Sequence, residues 1–353
     1  MPMTDEPLTI GGETIEPGCT VDLRLKVSES YFGDPISIPI RVHAASRPGP
    51  VVFITAAIHG DEINGTGILG RFLQRYASEL QSGTIVAAPV VNVFGFERQE
   101  RDLPDRRDLN RAFPGADDGS LAARLARLVV DEIVSKCDYG IDLHSAGALR
   151  TNFPNVRGDL KNPEVRRLAR AFGCELVVDG RGPTGSLRRY ATDSGCPTII
   201  LEAGEVQKFE PAVVETGVGG IRNALIELGM MDGVPLRPLF QTTVRRTVWL
   251  RSDAGGLLRF HVALGEVVDA GQPIASCETA MGEANSVTFS FEPGIVMGLA
   301  TNPAVKPGEP ICHLAIPRKR LDTIKAALAD TGRDHFAHKL RAALSHGHEH
   351  WMD

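Results

Sequence analysis

The sequence is poor in the features that mark several protein classes. Aromatic residues make up 6% of it, and 38 Lys and Arg stand against 44 Asp and Glu, for a formal charge of −6. No run of basic residues is long enough to form a phosphate or lipid patch, so neither nucleic acid nor membrane is an expected partner. No stretch reaches the ~18 apolar residues of a membrane span. The acidic opening MPMTDEPLTIGGETIEPG lacks a basic segment followed by an apolar one, so the expected compartment is the cytoplasm. Cysteine is sparse: Cys19, Cys137, Cys174, Cys196, Cys277 and Cys312 form no Cys-x-x-Cys pair. That excludes a thiolate zinc knuckle and a disulfide scaffold, and leaves buried thiols as the expectation. Lysine is missing altogether from 209 to 305.

What is present describes a soluble protein large enough for two or three domains. The chain has 353 residues, 42% of them hydrophobic, with 37 Gly and 23 Pro to punctuate short elements. Residues 8–48 alternate apolar and polar side chains, with Ile36, Ile38, Ile40 and Val42 on one inward face, and predict antiparallel strands. VVFITAA, TIVAAPVVN, YGIDLH, ELVVD and PTIILEAG are nearly continuous apolar runs, as strands buried on both faces require. Between them Leu69, Phe72, Leu73, Tyr76 and Leu80 fall at helical spacing. So do Leu121, Leu125, Leu128, Val129 and Ile133, then Val165, Leu168 and Phe172, and then Val214, Val218, Ile221 and Leu225. Alternating strand and helix predicts an α/β sheet over 1–238. Residues 239–317 lose helical periodicity and read as a smaller all-β domain. The last 36 residues, with Leu321, Ile324 and Leu328 at helical spacing and HGHEH at the end, read as a helical, His-rich surface tail.

Three groups of residues carry chemistry. In TAAIHGDEING, His59 and Glu62 follow a buried strand, where open α/β sheets place ligands. An imidazole and a carboxylate three residues apart can converge on one Zn²⁺, and His144, at the end of IDLH, offers a third ligand. In RDLPDRRDLNRAFPG, Asp108, Asn110 and Arg111 cluster before a turn, and Arg beside Asn can grip a carboxylate. In TIILEAGE, Glu202 follows apolar strand residues and is costly to bury without a task. It could serve as a general base or as a carboxylate capping backbone N–H groups.

The blocks HGDE, DLNR, DLH and LEAGE, in that order and near those separations, resemble the succinylglutamate desuccinylase/aspartoacylase family, which is related to zinc carboxypeptidases. The resemblance spans roughly residues 30–317. It implies a mixed sheet flanked by helices with a smaller C-terminal β domain resembling barrel-sandwich hybrids. It implies one Zn²⁺ per chain on His59, Glu62 and His144, with Glu202 as the catalytic carboxylate. Asn110 and Arg111 would clamp a substrate carboxylate, and Asp108 would orient the first histidine. Arg101 would polarise the scissile carbonyl, with Arg98 and Arg106 as rivals, and Asn152, Pro154 and Arg157 would line the pocket. Aspartoacylase itself sets a tyrosine of its C-terminal domain against the substrate. Here Tyr31, Tyr76, Tyr139 and Tyr190 all precede that domain.

The expected activity is zinc-dependent hydrolysis of an amide in a small carboxylate-bearing substrate, most simply deacylation of an N-acyl amino acid by a possible homo-oligomer. A carboxypeptidase acting on short peptides is the alternative within hydrolases. A non-catalytic carrier is the alternative outside them, because GEVVDAGQPIASCE and KPGEPICHL resemble biotinyl/lipoyl half-motifs. The lysine gap opposes that reading, since attachment needs an amine. The β domain is expected to cover the mouth of the active site instead.

Overall fold

In chain order the elements of the computed structural model begin with a short hairpin, β1 (Thr9–Ile10) and β2 (Glu13–Thr14), and a long one, β3 (Thr20–Glu29) and β4 (Pro35–Ala44). Then follow β5 (Val51–Ala56), α1 (Asn64–Tyr76), β6 (Thr84–Ala88), α2 (Val93–Arg98), α3 (Leu121–Glu132), β7 (Tyr139–His144) and β8 (Arg150–Gly158). Next come α4 (Pro163–Phe172), β9 (Leu176–Asp179), α5 (Leu187–Asp193), β10 (Thr198–Glu205) and α6 (Pro211–Glu227). The C-terminal part contains β11 (Thr242–Arg251), β12 (Gly256–Phe260), β13 (Val267–Val268), β14 (Pro273–Glu278) and β15 (Ala284–Phe289). It continues with β16 (Gly294–Ala300), β17 (Ala304–Val305), β18 (Pro310–Pro317), α7 (Leu321–Asp330) and α8 (Phe336–Ser345). The structure describes residues 7–317, 321–330 and 336–345.

One mixed sheet of 12 strands forms the frame, in the order β13-β16-β18-β11-β9-β8-β10-β7-β5-β6-β4-β3. Its centre, β10-β7-β5-β6, is parallel, which explains the unbroken apolar runs there. Helices cover both faces. Ile68, Leu69, Phe72, Leu168, Phe172, Val214 and Ile221 of α1, α4 and α6 fill one core. Leu125, Val129, Leu187 and Ala191 of α3 and α5 fill the other, closed by Ile38, Ile40 and Val42 of β4. Burying a side chain of this size stabilises the fold by about 1.5–3 kcal/mol each.

The strands of 239–317 extend the same sheet: β11 runs parallel to β9 through Thr242↔Leu176, and β16 pairs antiparallel with β8 through Gly298↔Asn152. A separate four-stranded sheet, β15-β14-β12-β17, packs beside them. Phe153 and Leu176 enter the core of this segment with Leu250, Ile295 and Leu314. The terminal helices are no free surface tail, because Ile324 of α7 is buried in that core and Arg341 of α8 pairs with Glu175. The HGHEH stretch, His346 to His350, lies outside the described residues. Cys19 is exposed and Cys137 half-buried, so the expectation of buried thiols holds only for Cys174, Cys196, Cys277 and Cys312.

Candidate functional site

The loop after β5 is shaped by sterics. Ala57 adopts a left-handed φ of 50°, which turns the chain sharply out of the strand at a cost of about 1–2 kcal/mol. At Gly60 a Cβ would lie 1.9 Å from the Gly95 carbonyl carbon, so only glycine lets this loop pack on α2. The turn thereby delivers His59 and Glu62 to the carboxyl edge of the sheet, 3% and 2% exposed. His144 ends β7 on the same edge, equally buried.

Glu62 is the hub. His59 Nδ1 lies 2.6 Å from its Oε1, and His144 Nδ1 lies 2.9 Å from its Oε2. The far nitrogens are tied as well: His59 Nε2 lies 3.1 Å from Asp108 Oδ1, and His144 Nε2 lies 2.7 Å from Asp142 Oδ2. Burial alone would hold Glu62 neutral, yet the two imidazoles keep its carboxyl well below the ordinary carboxylate range. Burial likewise works against charge on His144, and the Asp142 and Glu62 carboxylates reverse it.

This set fits a metal ion. One atom from each of His59, Glu62 and His144 can be chosen so that all lie within 4.8 Å of one another. Both Nδ1 atoms face the shared carboxylate, and both Nε2 atoms are fixed by carboxylates, the outer arrangement that sets tautomer and ring orientation in His-ligated sites. Two nitrogens and one carboxylate oxygen suit a borderline-soft divalent ion such as Zn²⁺.

Arg101, Asn110, Arg111, Asn152, Arg157 and Glu202 line one cavity of about 320 Å³ beside this cluster, while Asp108 stands behind His59. Arg101 donates to Glu62 at 3.3 Å and to Asp108 at 3.0 Å, whereas Arg98 pairs with Glu100 at the surface and Arg106 stays outside the cavity wall. Asn110 is buried, and its Oδ1 accepts the Leu187 N–H at 2.9 Å, which leaves its amide nitrogen as the donor available to the cavity. Arg111 lines the opening. Gly185, at φ +81°, packs against the backbone of Arg111, where a Cβ would meet the carbonyl oxygen at 2.3 Å.

Glu202 sits directly beside His144 in the β10–β7 register. Asn152 donates to its Oε2 at 3.2 Å, and Arg157 approaches its Oε1 at 3.7 Å while donating to Asn155 at 2.9 Å. Both expected pocket residues therefore hold the carboxylate in place. Pro154 lies elsewhere, on a narrow apolar cleft of about 90 Å³ beneath α8, and so does not line the pocket as expected. The β10–β8 register shifts here, from Glu202↔Asn155 to Gly204↔Asn152, so β8 carries one extra residue between Asn152 and Asn155, and Phe153 and Pro154 both line that cleft.

Four cavity residues escape a reading by motif. Arg150 and Arg188 line the wall, as do Trp249 and His313 from the C-terminal segment. The Trp249 and His313 rings stack at 4.2 Å with planes 7° apart, as direct cross-strand partners on β11 and β18, and Arg150 lies 4.9 Å from the Trp249 ring centre. Asp142 carried a signal that was available: a lone acid two residues before His144 on an otherwise apolar strand shares its face.

Comparison with known proteins gives these contacts a context. Residues 48–228 match the Succinylglutamate desuccinylase/Aspartoacylase catalytic domain. The chain is 30% identical over 272 residues to N-alpha-acetyl-L-2,4-diaminobutyric acid deacetylase of Halomonas elongata, covering 72% of this chain and 78% of that protein. In fold it is similar to a succinylglutamate desuccinylase from Silicibacter sp. TM1040, with a TM-score of 0.76 and 22% identity over 90% of this chain and 100% of that one. The product-bound ectoine utilization protein EutE (DoeB) from Ruegeria pomeroyi gives 0.76 and 21% over 88% and 98%.

Proposed function

Because the chain belongs to the succinylglutamate desuccinylase/aspartoacylase family, we propose that it is a zinc-dependent amidohydrolase that deacylates N-acyl amino acids or related small carboxylates. The observation that carries this is the buried His59, Glu62 and His144 cluster opening, with Glu202 and Arg111, into one cavity. The unpaired cysteines suit the cytoplasm.

His59, Glu62 and His144 would hold the zinc. When bound it supplies Lewis acidity, activating water near neutral pH and polarising a carbonyl. Glu202, fixed by Asn152 and Arg157, takes a proton from the attacking water as the new C–O bond forms. It returns that proton to the nitrogen as the C–N bond breaks, giving a carboxylic acid and an amine. Arg101 donates to the acyl oxygen as negative charge develops there, a contribution typically worth a few kcal/mol. Asn110 and Arg111 hold the substrate carboxylate, the amide through Nδ2 and the guanidinium through two parallel bonds.

The test is turnover by zinc-loaded protein against a panel of N-acyl amino acids and short peptides, with both products identified. Release of acid and free amino acid from the N-acyl substrates supports deacylation. Selective release of C-terminal amino acids from peptides favours a carboxypeptidase, and no hydrolysis of either class overturns the amidohydrolase reading.

A further inference from the structure

The four-stranded sheet β15-β14-β12-β17 has two unlike faces. Side chains alternate across each strand, and on the inner face Leu258 and Phe260 of β12 and Ala275 and Cys277 of β14 pack into the core of the C-terminal segment. On the outer face the register sets Leu257 opposite Glu278, Arg259 opposite Ser276, and Ser276 opposite Val287 on β15. An antiparallel sheet with one face in water ordinarily keeps that face polar. Here Leu257, Val287 and Phe289, two residues further along the same face, stand exposed. Met281, in the turn between β14 and β15, and Phe291, just past β15, extend the apolar stripe at its ends, 87% and 63% exposed. Among the described residues eleven large apolar side chains are exposed, and five of them fall within 257–291, so the apolar surface is concentrated on this sheet.

Composition and charge point to what covers it. Lysine is missing from 209 to 305, a span that includes all four strands. Interface centres are rich in aromatic residues, Met and Arg and poor in Lys. β15 is an edge strand, yet its sequence ANSVTF holds no Lys, Pro or acid, the residues that guard an edge left in solvent. A lipid surface would call for clustered lysine and arginine. Arg259 instead shares the face with Glu278, its diagonal neighbour, and neither side chain forms a hydrogen bond or ion pair among the described residues. One cation and one anion on an otherwise apolar face make it self-complementary. A two-fold axis lying in the interface midway between them sets Arg259 of each copy against Glu278 of the other.

We propose that this face is the interface of a homodimer, in which the outer faces of two such sheets pack together about a two-fold axis. The contact buries Leu257, Met281, Val287, Phe289 and Phe291 and forms two reciprocal Arg259–Glu278 pairs. None of these residues lines the catalytic cavity, so the proposal stands or falls apart from the deacylase reading.

Sedimentation equilibrium of the full-length protein tests it. The wild type should sediment at twice the mass of Phe289→Asp, which sets a charge among the buried apolar side chains and should weaken association at least ~30-fold. Arg259→Glu and Glu278→Arg each bring like charges face to face and should weaken it at least ~10-fold, and the double swap should return it to within ~3-fold of the wild type. A wild type that stays monomeric up to ~100 μM overturns the proposal. So does an assembly that Phe289→Asp leaves intact, because its interface then lies on another face. Single swaps without effect, or a double swap that fails to rescue, overturn the reciprocal pairing and with it the two-fold arrangement. If Phe289→Asp does not fold, the charge swaps decide.

Discussion

Asp142 holds His144 from two residues back on the same strand, with 2.7 Å between Asp142 Oδ2 and His144 Nε2. The Asp142 Oδ1 in turn accepts the Thr55 hydroxyl at 2.8 Å, so the acid is anchored on the neighbouring strand. This fixes which imidazole nitrogen carries the proton and leaves Nδ1 aimed at the ligand cluster. Asp142→Asn should weaken zinc affinity ~10–100-fold, the usual loss when such an outer carboxylate is changed. Chelator competition measures it, and an unchanged affinity would remove Asp142 from the metal site.

The ligands themselves should behave more severely. His59→Ala and His144→Ala each remove one of three protein donors, so purified variants should lose the roughly one zinc per chain expected of the wild type. Metal analysis of folded protein checks this. Full zinc in both variants would be incompatible with the assigned site.

Glu202 should be separable from the metal. Glu202→Gln keeps the size of the side chain and one acceptor oxygen for Asn152 or Arg157 but cannot accept the water proton, so turnover should fall at least ~100-fold with zinc retained. Near-normal turnover in a folded, zinc-loaded variant would take Glu202 out of the mechanism.

Much of this site is legible in the sequence because it lies at strand ends. An apolar run announces a buried strand, and a polar residue just beyond it must emerge at the sheet's carboxyl edge, as His59, Glu62, His144 and Glu202 do. Arg101 could not be separated from Arg98 and Arg106 by sequence, since the choice depends on how the loop folds back toward Glu62. Trp249 and His313 carry no local signal at all. They reach the cavity through the β8–β16 and β11–β18 pairings, which join residues 59 or more positions apart in sequence. Arg188 resembles any charged residue on a short helix until the fold sets it in the cavity wall.

Arg111 is assigned by the geometry of a planar fork, so Arg111→Lys should not be conservative. Converting the substrate's clamped carboxylate to an amide should reduce kcat/KM of the wild type far more than that of the variant. Equal penalties in both enzymes would show that Arg111 does not hold that group.

His313 gives a prediction in stability with a definite sign. Its pKa in the fold is about 4, lowered by burial and then by Arg157 and Arg150, against ~6.5 in an unfolded chain. Above pH ~6.5 both states are neutral at this position and the residue contributes no pH dependence. As the pH falls from about 6.5 toward 4 the unfolded chain binds a proton that the folded chain refuses, so stability is lost through that window. The slope per proton is at most ~1.4 kcal/mol per pH unit, and is smaller here because the ring keeps an edge toward the cavity. His313→Gln removes the titration while leaving the other acid-sensitive groups in place. The Tm of the variant should therefore fall less steeply than that of the wild type between pH 6.5 and 4.5, with parallel curves above pH 7. Curves that stay parallel throughout would mean that His313 protonates as readily in the fold as outside it, against its burial beside Arg157 and Arg150.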